Sequence, residues 1–156
     1  MVTHIYVESD SKALQERERQ LIFVVEYYED GEQVKDGNGE PVVLKGRGKS
    51  KVTYADGILF ALYSALKAAG YREKMHIHTT NAYVANMIGN QLDQWRERDY
   101  CKTDGTPIKS QMIWRRIGKL LEGSDVVVSS DRHAYYNWMI DQMNAWKEPP
   151  KNEKPA

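Results

Sequence analysis

The sequence predicts one α/β domain with a mixed five-stranded sheet, three antiparallel strands followed by parallel ones, flanked by helices. Three observations carry that expectation. Apolar, β-branched runs separated by polar turns occupy the first 44 residues. An apolar stripe at helical spacing follows over Thr53–Ala69. Met75–Val84 then changes period within itself. Met75, Ile77 and Thr79 alternate with His76, His78 and Thr80 as in a strand, and from Asn81 the spacing becomes helical. A strand that hands over at once to a helix is how many α/β proteins present a catalytic or phosphate-binding group. The working part of this chain is therefore expected near the carboxyl end of that strand.

Length and composition set the bounds. The 156 residues suit one domain large enough to bury a core. Lys plus Arg and Asp plus Glu number 22 each, so net charge says nothing about nucleic acid and only local clustering can. The single cysteine, Cys101, excludes an internal disulfide and a cysteine-rich zinc site, and points to a reducing cytoplasm. No apolar run reaches membrane-spanning length and the N-terminus lacks a signal-peptide profile, so no membrane partner is expected. The domain is expected over 1–146, with a charged, proline-rich and disordered tail over 147–156.

In chain order, Thr3–Glu8 reads as a strand and Ser9-Asp10-Ser11-Lys12 as a polar turn. Gln20–Tyr28 is a second, strongly apolar strand. Glu29–Glu40, with three glycines, is a turn or hairpin loop, and Pro41–Leu44 is a third strand completing an antiparallel meander. Lys45–Lys51 follows with four cations, Lys45, Arg47, Lys49 and Lys51, and no acid. Two readings stay open there: a solvated loop, or a phosphate-contacting rim before a helix N-terminus.

The helix over Thr53–Ala69 carries Ala55, Ile58, Leu59, Leu62, Leu66 and Ala69 on one stripe, with Gly70 placed as a C′ residue. Gly57 within it costs about 1 kcal/mol relative to alanine, which marks a close approach. Asn81 is an N-cap for a long helix from Ala82 to about Arg98. A polar turn, a helix near Ser110–Leu121, a strand at Asp125–Ser129 and a last helix from about Tyr136 to Trp146 complete the order.

A specific run of side chains adds to this order. It reads Thr79-x-x-x-Tyr83-Val84, then Trp95 in a charged helix, Tyr100, Lys102, the turn Asp104-Gly105-Thr106-Pro107-Ile108-Lys109, and Trp114. In residue types and spacing the chain resembles type I ribonuclease H, over residues 3–146. The resemblance implies a ribonuclease H-like fold in which this segment forms the second helix, a basic protrusion that grips the DNA strand, and the helix after it. It also implies hydrolysis of the RNA strand of RNA–DNA hybrids, with two Mg2+ (or Mn2+) ions held by four acids.

Carried over residue by residue, the resemblance assigns the first acid to Glu8, where the family has Asp followed by Gly-Ser; a slip in register offers Asp10. The second falls on Asp56, shorter than the family's Glu, and a one-residue shift puts Ala55 there. The third falls on Thr80, where the family has Asp, and a neutral hydroxyl cannot supply the charge that holds a bridging metal. The fourth matches: Asn137-x-x-x-Asp141-x-Met143 resembles the family's last helix, with Asp141 the metal ligand. His133-Ala134 resembles the catalytic loop, and His133 reads equally as a surface loop residue or a proton-transfer group.

The binding features are better kept. Residues 91–119 hold seven cations against four acids. Trp95, Arg96, Arg98, Tyr100, Lys102 and Lys109 are the nucleic-acid candidates there, together with the Lys45–Lys51 cations. Three functions follow. The first is a divergent ribonuclease H-like monomer that engages RNA–DNA hybrids or related duplexes, with cleavage reduced or lost because of Thr80. The second is an active enzyme with metals held by Glu8, Asp56 and Asp141. The third is a non-catalytic protein-interaction module on the same fold.

Overall fold

A computed structural model of the chain describes residues 1–70 and 73–147, so the expected disordered tail lies, beyond Lys147, outside the described residues. The elements are β1 (Val2–Ser9), β2 (Arg17–Glu29), β3 (Glu32–Gln33), β4 (Val43–Val52), α1 (Tyr54–Ala69), β5 (Lys74–His78), α2 (Ala82–Asn90), α3 (Leu92–Glu97), α4 (Gln111–Leu121), β6 (Asp125–Ser129) and α5 (Tyr136–Ala145).

β1 pairs antiparallel with β2 and parallel with β5, and β5 pairs parallel with β6. The outer edge of β2 carries β4 along Arg17–Glu26 and the two-residue β3 beyond it, at Tyr28 and Glu29. The sheet thus has six strands but is five strands wide, as β4-β2-β1-β5-β6. That is the mixed sheet the sequence predicts.

Several boundaries differ from expectation: the loop expected over Glu29–Glu40 holds the two-residue β3, and the third strand, expected over Pro41–Leu44, is β4 over Val43–Val52. The basic run Lys45–Lys51 is neither loop nor helix-capping rim; it lies within edge strand β4. Its Lys-Gly-Arg-Gly-Lys-Ser-Lys alternation puts Lys45, Arg47, Lys49 and Lys51 on one face and the small residues on the other. Gly46 pairs with Phe23, and a Cβ there would stand 2.1 Å from the Phe23 ring, so the glycine makes room for an aromatic ring rather than marking a turn. Lysines on an exposed edge also discourage edge-to-edge pairing. The long helix expected over Ala82–Arg98 breaks in two at Gln91, which ends α2 and opens α3. Gly89 and Asn90, both weak helix formers, precede the break.

α1 packs Ile58, Leu62 and Leu66 onto Ile5, Val7 and Ile77 of the sheet, and Trp114 and Ile117 of α4 join the same core. Its local signals behave as expected. The Thr53 side chain caps the Asp56 amide, and Gly70 closes the helix at a φ of 70°. The Gly57 approach is real: a Cβ there would lie 3.0 Å from a Leu21 methyl. On the opposite face, α5 sets Met139 and Met143 against Tyr6, Ile22 and Val24. Buried Arg19 binds the β1–β2 connection by donating to the carbonyls of Ser11, Ala13 and Gln15, and to Val52 of β4. This holds the turn that follows Glu8.

Candidate functional site

The carboxyl ends of the two central strands, β1 and β5, meet at Glu8 and Thr80. Period 2 puts His4, Tyr6 and Glu8 on the face of β1 away from α1, and β5 sets His76 and His78 beside His4 and Tyr6 on that face. Glu8 is buried at 1% exposure. A charge so removed from water needs compensation from every side. Thr80 donates twice, from its amide to Oε2 at 2.8 Å and from its hydroxyl to Oε1 at 2.7 Å. His133 donates from Nε2 to Glu8 Oε2 at 2.9 Å. Its Nδ1 accepts the Tyr135 amide at 3.2 Å, which assigns the proton to Nε2. The His133 and Glu8 side chains are 2% and 1% exposed.

Tyr54, from the first turn of α1, stands against this group. Burial first, then the Glu8 charge, pushes its hydroxyl up to about 12. Tyr54 is a contributor that sequence reasoning missed. Its position on the apolar side of α1 reads as core, and nothing in the sequence gives its distance from Glu8.

The remaining acids lie elsewhere. Asp56 turns toward the start of α4, where the Ser110 hydroxyl donates to it at 2.5 Å. It lines a small cleft with Ala55, Leu59, Tyr83 and Lys109. Asp141 is exposed on α5, since the helix turns Met139 and Met143, two residues away on either side, into the core. Asp10 sits in a separate hollow with Arg47 and Trp146, its Oδ2 4.0 Å from Lys147 Nζ. Among the described residues, no three carboxylates bring ligand oxygens within 4.8 Å of one another. Two hard cations need several such oxygens around a shared site. The residues present do not fit that pair: Glu8 is already satisfied, Thr80 is neutral, Asp56 accepts from Ser110 and Asp141 is exposed.

The candidate binding residues divide by role. Trp95 packs edge-on against Trp114 with ring centroids 5.0 Å apart. Arg96 donates to the Gly118 carbonyl from Nη2 at 2.7 Å and pairs with Asp93 at 2.6 Å. Tyr100 is 6% exposed, with its hydroxyl filling the space a Gly118 side chain would take. These three hold α3 and the following loop onto α4. Arg98, Lys102 and Lys109 stay exposed on that loop and its borders. On β4, Lys45 lies over Trp138 and Arg47 over Trp146, with the cations 4.9 and 4.6 Å from the ring centroids, while Lys49 pairs with Glu18 at 3.2 Å. Lys51 is exposed.

Comparison with known proteins agrees with the architecture. No family model matches the chain. It is 30% identical over 83 residues to a ribonuclease H of Rhodopseudomonas palustris (strain BisB5), covering 53% of this chain and 55% of that protein. It is 26% identical over 138 residues to a ribonuclease H of Thermoanaerobacter sp. (strain X514), 78% of this chain and 88% of that one. The chain thus spans about half the length of the first of these relatives. Among solved structures it is similar to LC9-RNase H1, a type 1 RNase H with the type 2 active-site motif. That match has a TM-score of 0.66 at 16% identity, covering 92% of this chain and 69% of that one. It is also similar to the foamy viral protease-reverse transcriptase in complex with dsDNA (TM-score 0.62, 15% identity, 92% and 88% covered). The PFV RNase H domain in solution follows, with a TM-score of 0.55 at 16% identity, covering 91% and 90%. The fold is ribonuclease H-like.

Proposed function

We propose that this chain is a divergent ribonuclease H-like protein that engages RNA–DNA hybrids or related duplexes, with metal-dependent cleavage of the RNA strand reduced or lost. One observation carries the reading: the buried Glu8 carboxylate is held on both oxygens by Thr80 and His133. The longer acid on β1 and the neutral residue after β5 complement each other. Two facing carboxylates repel unless a cation lies between them. A glutamate facing a threonine is satisfied without one. The network locks the strand ends, and it leaves Glu8 no outward-facing oxygen for a phosphate-bridging ion.

Duplex engagement rests on Arg98, Lys102 and Lys109, which point their charge outward from a loop braced by Trp95 and Tyr100. Such contacts are to the phosphate backbone and carry no base readout. One related fold has been seen with dsDNA and with RNA/DNA hybrid, which suits a duplex ligand.

The test is direct. Labelled hybrid is incubated with the chain and with Thr80→Asp, in magnesium and in manganese, beside gel shifts at graded salt. Binding without cleavage by the unaltered chain is expected. Turnover at ordinary ribonuclease H rates would overturn the loss of cleavage. Absence of any shift at low salt would remove the duplex and leave a protein-interaction role.

A further inference from the structure

We infer that His4, His76 and His78 form a binding site for one divalent transition-metal ion, zinc foremost, on the sheet face beside α5. The site is separate from the acidic set expected for this fold and lies beyond the functional reading above. Period 2 places His76 and His78 on the same face of β5, and the parallel register sets His76 directly beside His4 of β1. The three offer ligand atoms within 4.8 Å of one another, the one such group of three among the described residues.

The geometry suits coordination. His4 Nδ1 and His78 Nε2 lie 3.0 Å apart. Tetrahedral zinc with Zn–N bonds of about 2.0–2.1 Å separates its nitrogens by about 3.3 Å, so a shift of a few tenths of an ångström admits the ion. His76 and His78 stack with centroids 3.9 Å apart. The outer support a metal-bound imidazole needs is in place. Ser129 Oγ is 2.7 Å from His76 Nε2, and when that nitrogen donates to the hydroxyl, Nδ1 carries the lone pair. Glu26 pairs with His4 across β1 and β2 and adds negative charge near it. Tyr6 and Tyr135 donate to Glu26 and hold it in place.

The hydrogen bond between His4 Nδ1 and His78 Nε2 holds one proton between the two nitrogens, and binding moves that proton to the other nitrogen of its own ring. Nitrogen-only ligands select zinc, copper, nickel or cobalt over magnesium and calcium. Three ligands leave a fourth position for water or an anion. α5 packs on the β1–β2 half of this face, and on β6 beside His76 Val127 is 55% exposed, which gives the ion an entry path.

The chain holds four histidines, which makes the test compact. The purified full-length protein is stripped with a chelator, then titrated with zinc by calorimetry and with cobalt by visible absorption. One equivalent binds, cobalt shows the strong absorption of four-coordinate geometry, and zinc raises the melting temperature. His76→Gln and His78→Gln each weaken binding by about tenfold or more, as loss of a ligand must at least match loss of its supporting partner. Cys101→Ser leaves binding unchanged. Imidazole NMR signals of the unaltered chain give a reading free of any folding defect in the variants: zinc moves three histidine rings and spares His133. The inference fails if no saturable one-equivalent binding occurs, if tight binding survives His78→Gln in a folded variant, or if zinc moves His133 instead.

Discussion

Restoring an acid at Thr80 is the sharpest perturbation of the site. Thr80→Asp removes the hydroxyl that donates to Glu8 at 2.7 Å and sets a second carboxyl against a carboxylate that is 1% exposed. Two unit charges about 4 Å apart repel by about 4 kcal/mol at an effective dielectric near 20. The molecule can escape by protonating one carboxyl. At pH 7, starting from an ordinary value of about 3.9, that also costs about 4 kcal/mol, so the penalty is capped there. Relaxation of the two side chains offsets part of it. The net loss is therefore about 2–4 kcal/mol, which in a chain of this length lowers the melting temperature by roughly 5–15 °C. The assay is thermal unfolding followed by circular dichroism, in chelator, at pH 7 and pH 5. The deficit shrinks at the lower pH, where the proton is supplied more cheaply. A variant that melts like the parent at pH 7 without metal would show that Glu8 is not held as described.

Other perturbations separate bracing from binding. Glu8→Ala strips the partner from His133 and the Thr80 amide and costs about 3–5 kcal/mol by denaturant unfolding, whereas Glu8→Gln, whose amide oxygen still accepts from Thr80, costs less. Gly118→Ala forces a methyl to within 2.0 Å of the Tyr100 hydroxyl. It destabilises by about 1–3 kcal/mol, and adding Tyr100→Phe recovers part of the loss in a double-mutant cycle. Replacing Arg98, Lys102 and Lys109 by alanine leaves the melting temperature within a few degrees, yet flattens the salt dependence of hybrid binding by about 0.7–0.9 for each phosphate no longer neutralised. In metal-free buffer, His78 destabilises the fold under acid. Its folded value of about 3 lies below the ordinary 6.5, so the unfolded chain binds more protons, and stability present above 6.5 is lost progressively as pH falls toward 3. Melting curves recorded across that range, with His78→Gln as the comparison, check it.

The sequence by itself determined the elements and most of their order, because periodicity, caps and turn residues act over a few positions. The α1 stripe, the Thr53 and Gly70 ends, the Asn81 cap and the strand Asp125–Ser129 are all local signals, and all stand in the structure. Thr80, just past the end of β5, is where the chain departs from the acid that the resemblance implies. Where local signals conflict, tertiary packing decided. Lys45–Lys51 looks like a loop because glycines and lysines disfavour strands, yet ten residues of pairing to β2 and the Phe23 ring over Gly46 draw it into the sheet. Trp95, Arg96 and Tyr100 read as a gripping surface until the approach of α3 to α4 turns them inward. Only the register of β1 against β5 brings His4 to His76 and His78, seventy-odd residues away in the chain. The meeting of Glu8, Thr80 and His133 is of the same kind. Each is an ordinary polar residue in sequence, and a buried carboxylate with both oxygens satisfied exists only once three distant segments converge on it.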